Sequence, residues 1–170
     1  FAFGYKSPDE NTNANEYDTW IFTWKKEYEV EFESHAQLGF SLLHAQGTVP
    51  DNEISYYRYF WEQSDTEGFE RIAKKWNENG WAWQPHFKHR FELVYTTTKI
   101  IIYIDDQLIF EIEGCFDQGR FGFYNFSQPN VRYSNFNYSI AAEYIPLPSV
   151  ACQNMEVTFK STCSKIPSNI

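Results

Sequence analysis

Residues Phe91–Phe126, FELVYTTTKIIIYIDDQLIFEIEGCFDQGRFGFYNF, decide the fold class. Apolar and polar residues alternate in Phe91–Thr96 and again in Leu108–Glu113, which is typical of half-buried β-strands. Between them, Lys99–Ile104 is apolar on both faces, which predicts a central strand with a layer on each side. Asp105-Asp106-Gln107 predicts a tight hairpin turn, because Asp tolerates the left-handed backbone conformation. The stretch therefore predicts three or four antiparallel strands in meander order, forming the core of a β-sandwich.

Segments on both sides of this stretch extend the all-β pattern. Trp20–Lys25 and Leu38–Leu43 predict two further strands, and Val131–Ile140 alternates again after the meander. In Lys25–Ser34, apolar Tyr28, Val30 and Phe32 alternate with four Glu residues. A row of carboxylates on one strand face is a candidate site for a cation or a basic partner. We interpret it instead as a solvated face that discourages edge pairing.

One segment predicts a helix. Ser64–Glu67 carries the residues typical of a helix start, with Ser or Asp as the cap and Glu in the first turn. Phe69, Ile72, Ala73 and Trp76 then recur at helical spacing, which predicts an amphipathic helix of about three turns. The fold class predicted from the whole chain is an antiparallel jelly-roll sandwich with one short helix.

Composition narrows the classes of partner. The 170 residues predict one sandwich domain, and aromatics make up 20% of them, which suits wide half-buried sheets. The net charge of −9 argues against nucleic acid as a partner, because an acidic surface repels phosphate. No apolar stretch approaches the ~18 residues that a membrane-spanning helix needs.

The cysteines and two sequons point to the secretory pathway. The three cysteines are Cys115, Cys152 and Cys163. Cys152 and Cys163 are close enough in sequence to form a disulfide, and three free thiols are the alternative. Asn125 and Asn137 each begin an Asn-X-Ser glycosylation sequon. Together these features predict a secreted or extracellular protein.

An ordered set of short motifs resembles the carboxy-terminal domain of thrombospondins, a jelly-roll sandwich similar in fold to legume-type lectins. The motifs span roughly residues 1–138: Phe3–Ser7, Trp24-Lys25, Phe60–Thr66, Trp76, Gly80-Trp81, His89–Phe91 and Gly119–Gln128. The resemblance implies that strands which precede the Phe-Gly-Tyr segment in the family are missing from this sequence. We therefore expect a separate segment, an N-terminal part or another copy to complete the sandwich.

The last thirty residues lie outside this resemblance. We expect a sandwich over residues 1–140 and, over 141–170, a linker marked by Pro146 and Pro148 followed by one extra strand. That strand consists of Met155, Glu156, Val157, Thr158, Phe159 and Lys160. It is a candidate assembly strand that adds to a neighbouring copy and builds a filament. The alternative is that it folds back onto its own domain.

Enzymatic chemistry is not expected. Glu111 and Glu113 come nearest to a carboxylate pair, but the alternation places both on an outer strand face. His86 and His89 lack further ligands that would make a metal site. The lectin-like resemblance makes calcium a candidate cofactor. Loop oxygens suited to calcium occur at Asp51-Asn52-Glu53, Asp65 and Asp105-Asp106.

Two functions remain as hypotheses. The first is a non-enzymatic adhesion or assembly module, a structural subunit of a matrix or surface filament whose partners are its own copies or other extracellular proteins. The second is a lectin-like domain that binds glycans, with or without calcium. Aromatic platforms for a sugar are available at Trp81, Trp83 and Tyr56–Tyr59.

Overall fold

A computed structural model describes residues 1–6, 16–31, 33–48, 57–63, 65, 68–76, 82–125 and 130–139. The chain divides into two units, Phe1–Phe126 and Ser127–Ile170, and all regular structure described below lies in the first. The predicted boundary between residues 140 and 141 lies outside the described residues and stays a prediction.

The first unit is an antiparallel β-sandwich, which confirms the predicted all-β class. A five-stranded sheet has the order β10-β1-β2-β5-β6, a three-stranded sheet the order β7-β8-β9, and β3 and β4 form a ribbon. A jelly-roll connectivity stays a prediction. The strands are β1 (Ala2–Tyr5), β2 (Glu16–Lys25), β3 (Glu29–Glu31), β4 (Ser34–Ala36), β5 (Gly39–Thr48), β6 (Phe69–Trp76), β7 (Phe91–Tyr95), β8 (Lys99–Ile104), β9 (Gln107–Glu113) and β10 (Arg120–Gly122), and one π-helical turn spans Tyr57–Glu62.

The centre of the larger sheet is the pair β2 and β5. They run antiparallel in unbroken register from Glu16 opposite Thr48 to Lys25 opposite Gly39. Side chains on both faces of this pair are buried, for example Phe22 on one face and Ile21 on the other. The five-stranded sheet is therefore covered on both of its faces.

The three-stranded meander agrees with the prediction from the sequence. Phe91 pairs with Ile104, and Ile104 pairs with Gln107, so Asp105 and Asp106 form a two-residue hairpin turn. Both have positive φ, 50° and 66°, as a type I′ turn requires. The prediction of full cover on both faces of β8 is wrong, because Ile101 and Tyr103 are only half-buried.

The fourth strand of the predicted meander belongs to the other sheet. β10 pairs with β1, Ala2 opposite Gly122, so the chain crosses between sheets after β9. Buried Phe116 fixes this crossing, since its amide donates to the Thr97 carbonyl. The Tyr95 hydroxyl also donates to the Asp117 carbonyl over 2.6 Å, and burial raises the pKa of Tyr95 to about 12.

The main core lies between the two sheets. Aromatic and aliphatic side chains from β1, β2 and β5 meet isoleucines from β8 and Ile109 and Phe110 from β9. The Phe22 and Phe110 rings meet edge to face at 6.2 Å, and Trp20 meets Phe116 at 5.3 Å. Such ring pairs add about 0.5–1.5 kcal/mol beyond the area they bury.

A second core lies on the outer face of the five-stranded sheet. The π-helical turn packs Phe60 against Ile21, Leu43, Ala45 and Phe69. Phe60 and Phe69 meet edge to face at 5.7 Å. This turn was not predicted, and it covers part of the sheet face that would otherwise be apolar and exposed.

The predicted helix over Phe69–Trp76 is wrong, because this segment is strand β6. It pairs with β5, Phe69 opposite Ala45 and Trp76 opposite Gly39. A register shift opposite Leu42 and Leu43 leaves Ile72 as the extra residue of a bulge, 38% exposed. Pairing with an already formed sheet edge outweighs the helical spacing of the apolar residues.

The acidic segment is largely exposed to solvent. Tyr28 and Val30, on its apolar face, are each 52% exposed in and beside the ribbon. Glu29 and Glu31 are exposed as well, which agrees with a solvated row of carboxylates. Val131–Ser139 is likewise not a strand: it has no regular structure, and its side chains are exposed.

Gly119 and Gly122 have different roles in the β10 region. A Cβ on Gly119 would overlap the backbone of Gly4, so these two chain segments touch without any side chain between them. Gly122 has open space where a Cβ would stand. The backbones of Gly4 and Gly119 therefore approach each other closely. Phe121 and Phe123, on either side of Gly122, are 36% and 49% exposed.

Replacing Gly119 tests this close approach. Gly119→Ala should lower the free energy of unfolding by about 1–3 kcal/mol, because the new methyl group forces the Gly4 backbone away. Urea denaturation followed by tryptophan fluorescence measures the effect. Gly122→Ala is the matched control and should change stability by less than about 0.5 kcal/mol. Equal effects of the two changes would contradict the assignment.

Candidate functional site

The three-stranded sheet is smaller than the sheet that it faces. β8 is paired on both sides, whereas β7 and β9 each pair with β8 alone within the described part of the chain. A strand with one unpaired side presents backbone N–H and C=O groups that are able to bind a further strand. These two edges, like those of β10 and β6 in the larger sheet, are therefore candidates to bind a strand of another chain.

Three charged side chains meet on one part of the outer face of this sheet. Lys99 Nζ lies 2.9 Å from a Glu111 oxygen and 3.4 Å from a Glu113 oxygen. Hydrogen bonds to these carboxylates raise the pKa of Lys99. Glu111 and Glu113 therefore share a solvated lysine, as the predicted outer-face position implies, and a solvated ion pair of this kind contributes little stability.

An aromatic cluster, which we call the aromatic shelf, lies where β1 and β10 approach β7. Its members are Phe1, Phe91, Phe121 and Phe123. Phe1 stacks on Phe91 of β7 with ring centroids 3.7 Å apart. Phe1 also lies 6.1 Å from Phe121 and 6.0 Å from Phe123.

The turn between β8 and β9 forms a second surface of interest. His89 Nδ1 donates to the Asp105 carboxylate over 2.7 Å, and the Arg90 amide donates to the other carboxylate oxygen over 2.7 Å. Partial burial acts to raise the pKa of Asp105, but these two hydrogen bonds outweigh it and lower the pKa below its usual value. Phe87 lies beside His89, with ring centroids 6.1 Å apart, and is 69% exposed.

A buried polar cluster lies beneath the π-helical turn. Ser41 donates its hydroxyl hydrogen to Gln63 Oε1, so Thr23 donates to Ser41 over 2.9 Å. Gln63 is fully buried with a positive φ of 58°. Its backbone carbonyl accepts a hydrogen bond from Arg71 Nη1 over 2.7 Å. Gln63 Nε2 has no hydrogen-bond acceptor among the described residues. An unpaired buried donor and left-handed backbone both cost stability here.

Lys25 is the least expected member of this region. It is 8% exposed, and its ammonium lies 6.0 Å from the Trp61 ring centroid in the π-helical turn. No carboxylate of the described residues lies within ion-pair distance of Lys25. Burial lowers the pKa of Lys25 from 10.5 to about 8, against a smaller opposing effect of Glu29.

This pKa fixes how Lys25 affects stability. In the native state Lys25 loses its proton near pH 8, whereas in the unfolded chain it keeps it to about pH 10.5. Below pH 8 the burial of the charged amine costs roughly 3 kcal/mol. Between pH 8 and 10.5 the unfolded state binds more protons, so this cost disappears and stability rises with pH.

Lys25→Met should therefore stabilise the protein at pH 7 by about 2 kcal/mol, after allowance for the lost contact with Trp61. The gain over the wild type should disappear by about pH 10.5, which urea denaturation at several pH values measures. Lys26→Met is the matched control, because the Lys26 side chain keeps 40% of its surface exposed and should change stability little at any pH. A Lys25→Met protein less stable than wild type at pH 7 would contradict the prediction.

The structure does not bring the candidate metal ligands together within the described residues. Among the described residues no group of three or more His, Cys, Asp or Glu side chains is arranged to hold a metal. Asp105 instead accepts from His89, and Asp106 accepts from Arg90 over 2.6 Å. His86 and His89 belong to no such group in the part of the chain that the structure describes. Asp51-Asn52-Glu53 lie outside the described residues.

The structure describes Tyr57, Tyr59 and Trp83 among the predicted sugar platforms. Tyr57 and Tyr59 belong to the π-helical turn, where Tyr59 packs against Phe69 at 4.8 Å. Trp83 is half-buried, with the Lys26 ammonium 6.0 Å from its ring centroid. Tyr56 and Trp81 lie outside the described residues. The exposed ring of Phe87 was not predicted, although its neighbour His89 was singled out.

Asn125 and Asn137 are both exposed, as glycan acceptors must be. Cys115 is disulfide-bonded. The predicted pair of Cys152 and Cys163 lies outside the described residues and stays a prediction. Each cysteine forms only one disulfide. If Cys115 bonds to Cys152 or Cys163 of the same chain, the predicted bond between Cys152 and Cys163 does not form. Met155–Lys160 also lies outside the described residues.

Sequence reasoning missed the burial of Lys25 and of Gln63. The signal for Lys25 was its place at the end of the alternation Trp20–Lys25, on the face of Ile21 and Thr23. Nothing in the sequence around Gln63 indicates burial, because its position depends on the π-helical turn.

Among the described residues there is no helix with the length and apolar character needed to cross a bilayer. The chain was also compared with protein-family models, with curated proteins and with solved structures, and none of the three comparisons gives a match. The resemblance to the thrombospondin carboxy-terminal domain therefore stays a prediction.

Proposed function

We propose that this chain is a non-enzymatic module of an extracellular assembly, in which a strand of one copy adds to the sandwich of the next. The observation that carries the proposal is the unequal size of the two facing sheets. Three strands oppose five, and both outer strands of the smaller sheet have one unpaired side within the described residues. Strand addition at such an edge supplies backbone hydrogen bonds without further change to the acceptor.

The donor in this proposal is the segment Met155–Lys160. Apolar and polar residues alternate along it, as in a strand that buries one face. Pro146 and Pro148 precede it and favour an extended linker. Donation from each copy to the next is a head-to-tail contact, which generates an open filament when the rotation between copies does not close a ring.

Two observations support an extracellular location, and the net charge bears on the class of partner. Asn125 and Asn137 are exposed within their sequons. Cys115 is disulfide-bonded, a state that persists in oxidising compartments. The net charge of −9 suits a surface that contacts other proteins rather than nucleic acid.

Deleting Gln153–Ile170 tests strand donation. We expect the shortened protein to stay folded by circular dichroism but to lose polymers in light scattering and electron microscopy, because the donated strand is gone. Deleting only Lys165–Ile170 is the matched control, since it keeps the strand and all three cysteines, and this protein should assemble like the full chain.

Two outcomes would count against the proposal. If the longer deletion gives a folded protein that still assembles, the strand is not the donor. If the longer deletion unfolds the protein and Cys163→Ser in the full chain does not, the strand belongs to its own core and the copies do not exchange it.

Glycan binding is the second candidate, and the surface at Phe87 favours it. The exposed Phe87 ring offers a flat apolar platform, and beside it His89 Nε2 and the Asp105 carboxylate offer hydrogen-bond acceptors. A pyranose ring carries the matching groups, an apolar C–H face and hydroxyl donors.

Saturation-transfer NMR with methyl glycosides of mannose, galactose and N-acetylglucosamine tests glycan binding, with calcium and with EDTA. Binding should give saturation transfer to the ring protons, and Phe87→Ala should abolish it because the platform is removed. Phe136→Ala replaces another exposed ring and should leave it unchanged. No transfer to any of the glycosides would argue against this function.

A further inference from the structure

We infer that the strand donated by a second copy adds beside β7 rather than beside β9, where it covers the aromatic shelf. This inference rests on the proposed function and names the acceptor that the proposal leaves open. Two edges of the smaller sheet are available, and the surroundings of the two edges differ in a way that selects one of them.

Two ring contacts show which strand of the larger sheet lies opposite β7. Phe91 of β7 stacks on Phe1, which immediately precedes β1, and Tyr95 meets Phe3 of β1 at 5.4 Å. β7 therefore lies over β1. β10 is the next strand beyond β1 at the edge of the larger sheet. A strand added beside β7 would come to lie over β10, since neighbouring strands in the two sheets are spaced alike.

β10 and the residue that follows it present two phenylalanine rings to that position. Phe121 and Phe123 are two residues apart, and both contact Phe1, so they lie on the face that continues the core between the sheets. They keep 36% and 49% of their surface exposed. An added strand would remove this apolar surface from water, which is the main source of favourable free energy in association.

The other edge of the larger sheet, opposite to β10, differs in the residues that it presents. There the strand beyond β5 is β6, and its residues opposite Phe40, Leu42 and His44 are Lys75, Ala73 and Glu70. These face the same side of the sheet as the core and are mostly charged. A strand added beside β9 would desolvate charges without burying aromatic surface, which is unfavourable.

The donor segment has an apolar face that is able to cover the aromatic shelf. In an extended Met155–Lys160 strand, Met155, Val157 and Phe159 lie on one face. This face would cover the shelf. Glu156, Thr158 and Lys160 would lie on the outer face, beside Glu92 and Val94 of β7, both of which are exposed. A second copy of this chain therefore carries a segment with the required alternation.

Substitutions at the two edges separate the alternatives. Phe123→Ser should raise the protein concentration needed for assembly about 10- to 100-fold, because roughly half of a phenylalanine surface is no longer buried. Leu108→Ser is the matched control at the β9 edge, where the leucine is 45% exposed, and it should leave that concentration within about twofold. Light scattering of the full-length proteins measures both.

Hydrogen exchange on the same full-length chain locates the acceptor directly. Backbone amides of Phe91–Tyr95 should become protected when dilute protein is concentrated into assemblies, whereas those of Gln107–Glu113 should stay unchanged. Phe159→Ser should weaken this protection, and Thr158→Ala, on the other face of the donor strand, should not.

The outcomes distinguish this inference from the proposed function. Assemblies that protect β9 and are weakened by Leu108→Ser would keep the proposed function and overturn the choice of β7. Assemblies that protect neither edge would also overturn it. A chain that remains monomeric at every concentration would overturn the proposed function and the inference together.

Discussion

The pairing of β2 with β5 is the interaction on which the rest of the structure depends. It is the longest ladder of the fold, and it carries large apolar side chains on both of its faces. A sheet of this kind is stable only when each face is covered, because exposed apolar area of that size is unfavourable in water. The smaller sheet covers one face, and the π-helical turn covers part of the other.

The polar residues beneath the π-helical turn follow from that arrangement. Thr23, Lys25 and Ser41 lie on the same face of the sheet as Ile21 and Leu43, so any cover over the apolar residues also encloses the polar ones. The hydroxyls are satisfied through Gln63, whereas Lys25 has an aromatic ring as its neighbour in place of a carboxylate. The second core is therefore weaker than an entirely apolar one of the same size would be.

Local signals explain which parts of the fold the sequence predicts. The alternation in β7 and β9 and the Asp105-Asp106 turn are properties of neighbouring residues, so the meander was predictable. β6 was not, because the bulge at Ile72 interrupts its alternation and leaves apolar residues at helical spacing. The crossing of β10 to the other sheet depends on contacts with β1, far away in the sequence, and no local pattern indicates it.

The candidate surfaces divide in the same way. Strand alternation pointed to Glu111 and Glu113 as an outer face, and the structure agrees. The aromatic shelf was not foreseen, since nothing in a chain that is one-fifth aromatic distinguishes Phe121 and Phe123 from core residues. Their exposure depends on the number of strands in the facing sheet, which is a property of the whole fold.

The pairing of β1 with β10 has a consequence for biosynthesis. Ala2 finds its partner only when Gly122 has been synthesised, so the first strand of the unit keeps one side unpaired while 120 further residues (122 − 2) are added. Long-range pairings of this kind form late and slow the folding of β proteins. During that interval the nascent chain carries an unprotected edge beside apolar Phe1 and Phe3, and a chaperone that shields extended apolar segments would protect it from association with other nascent chains.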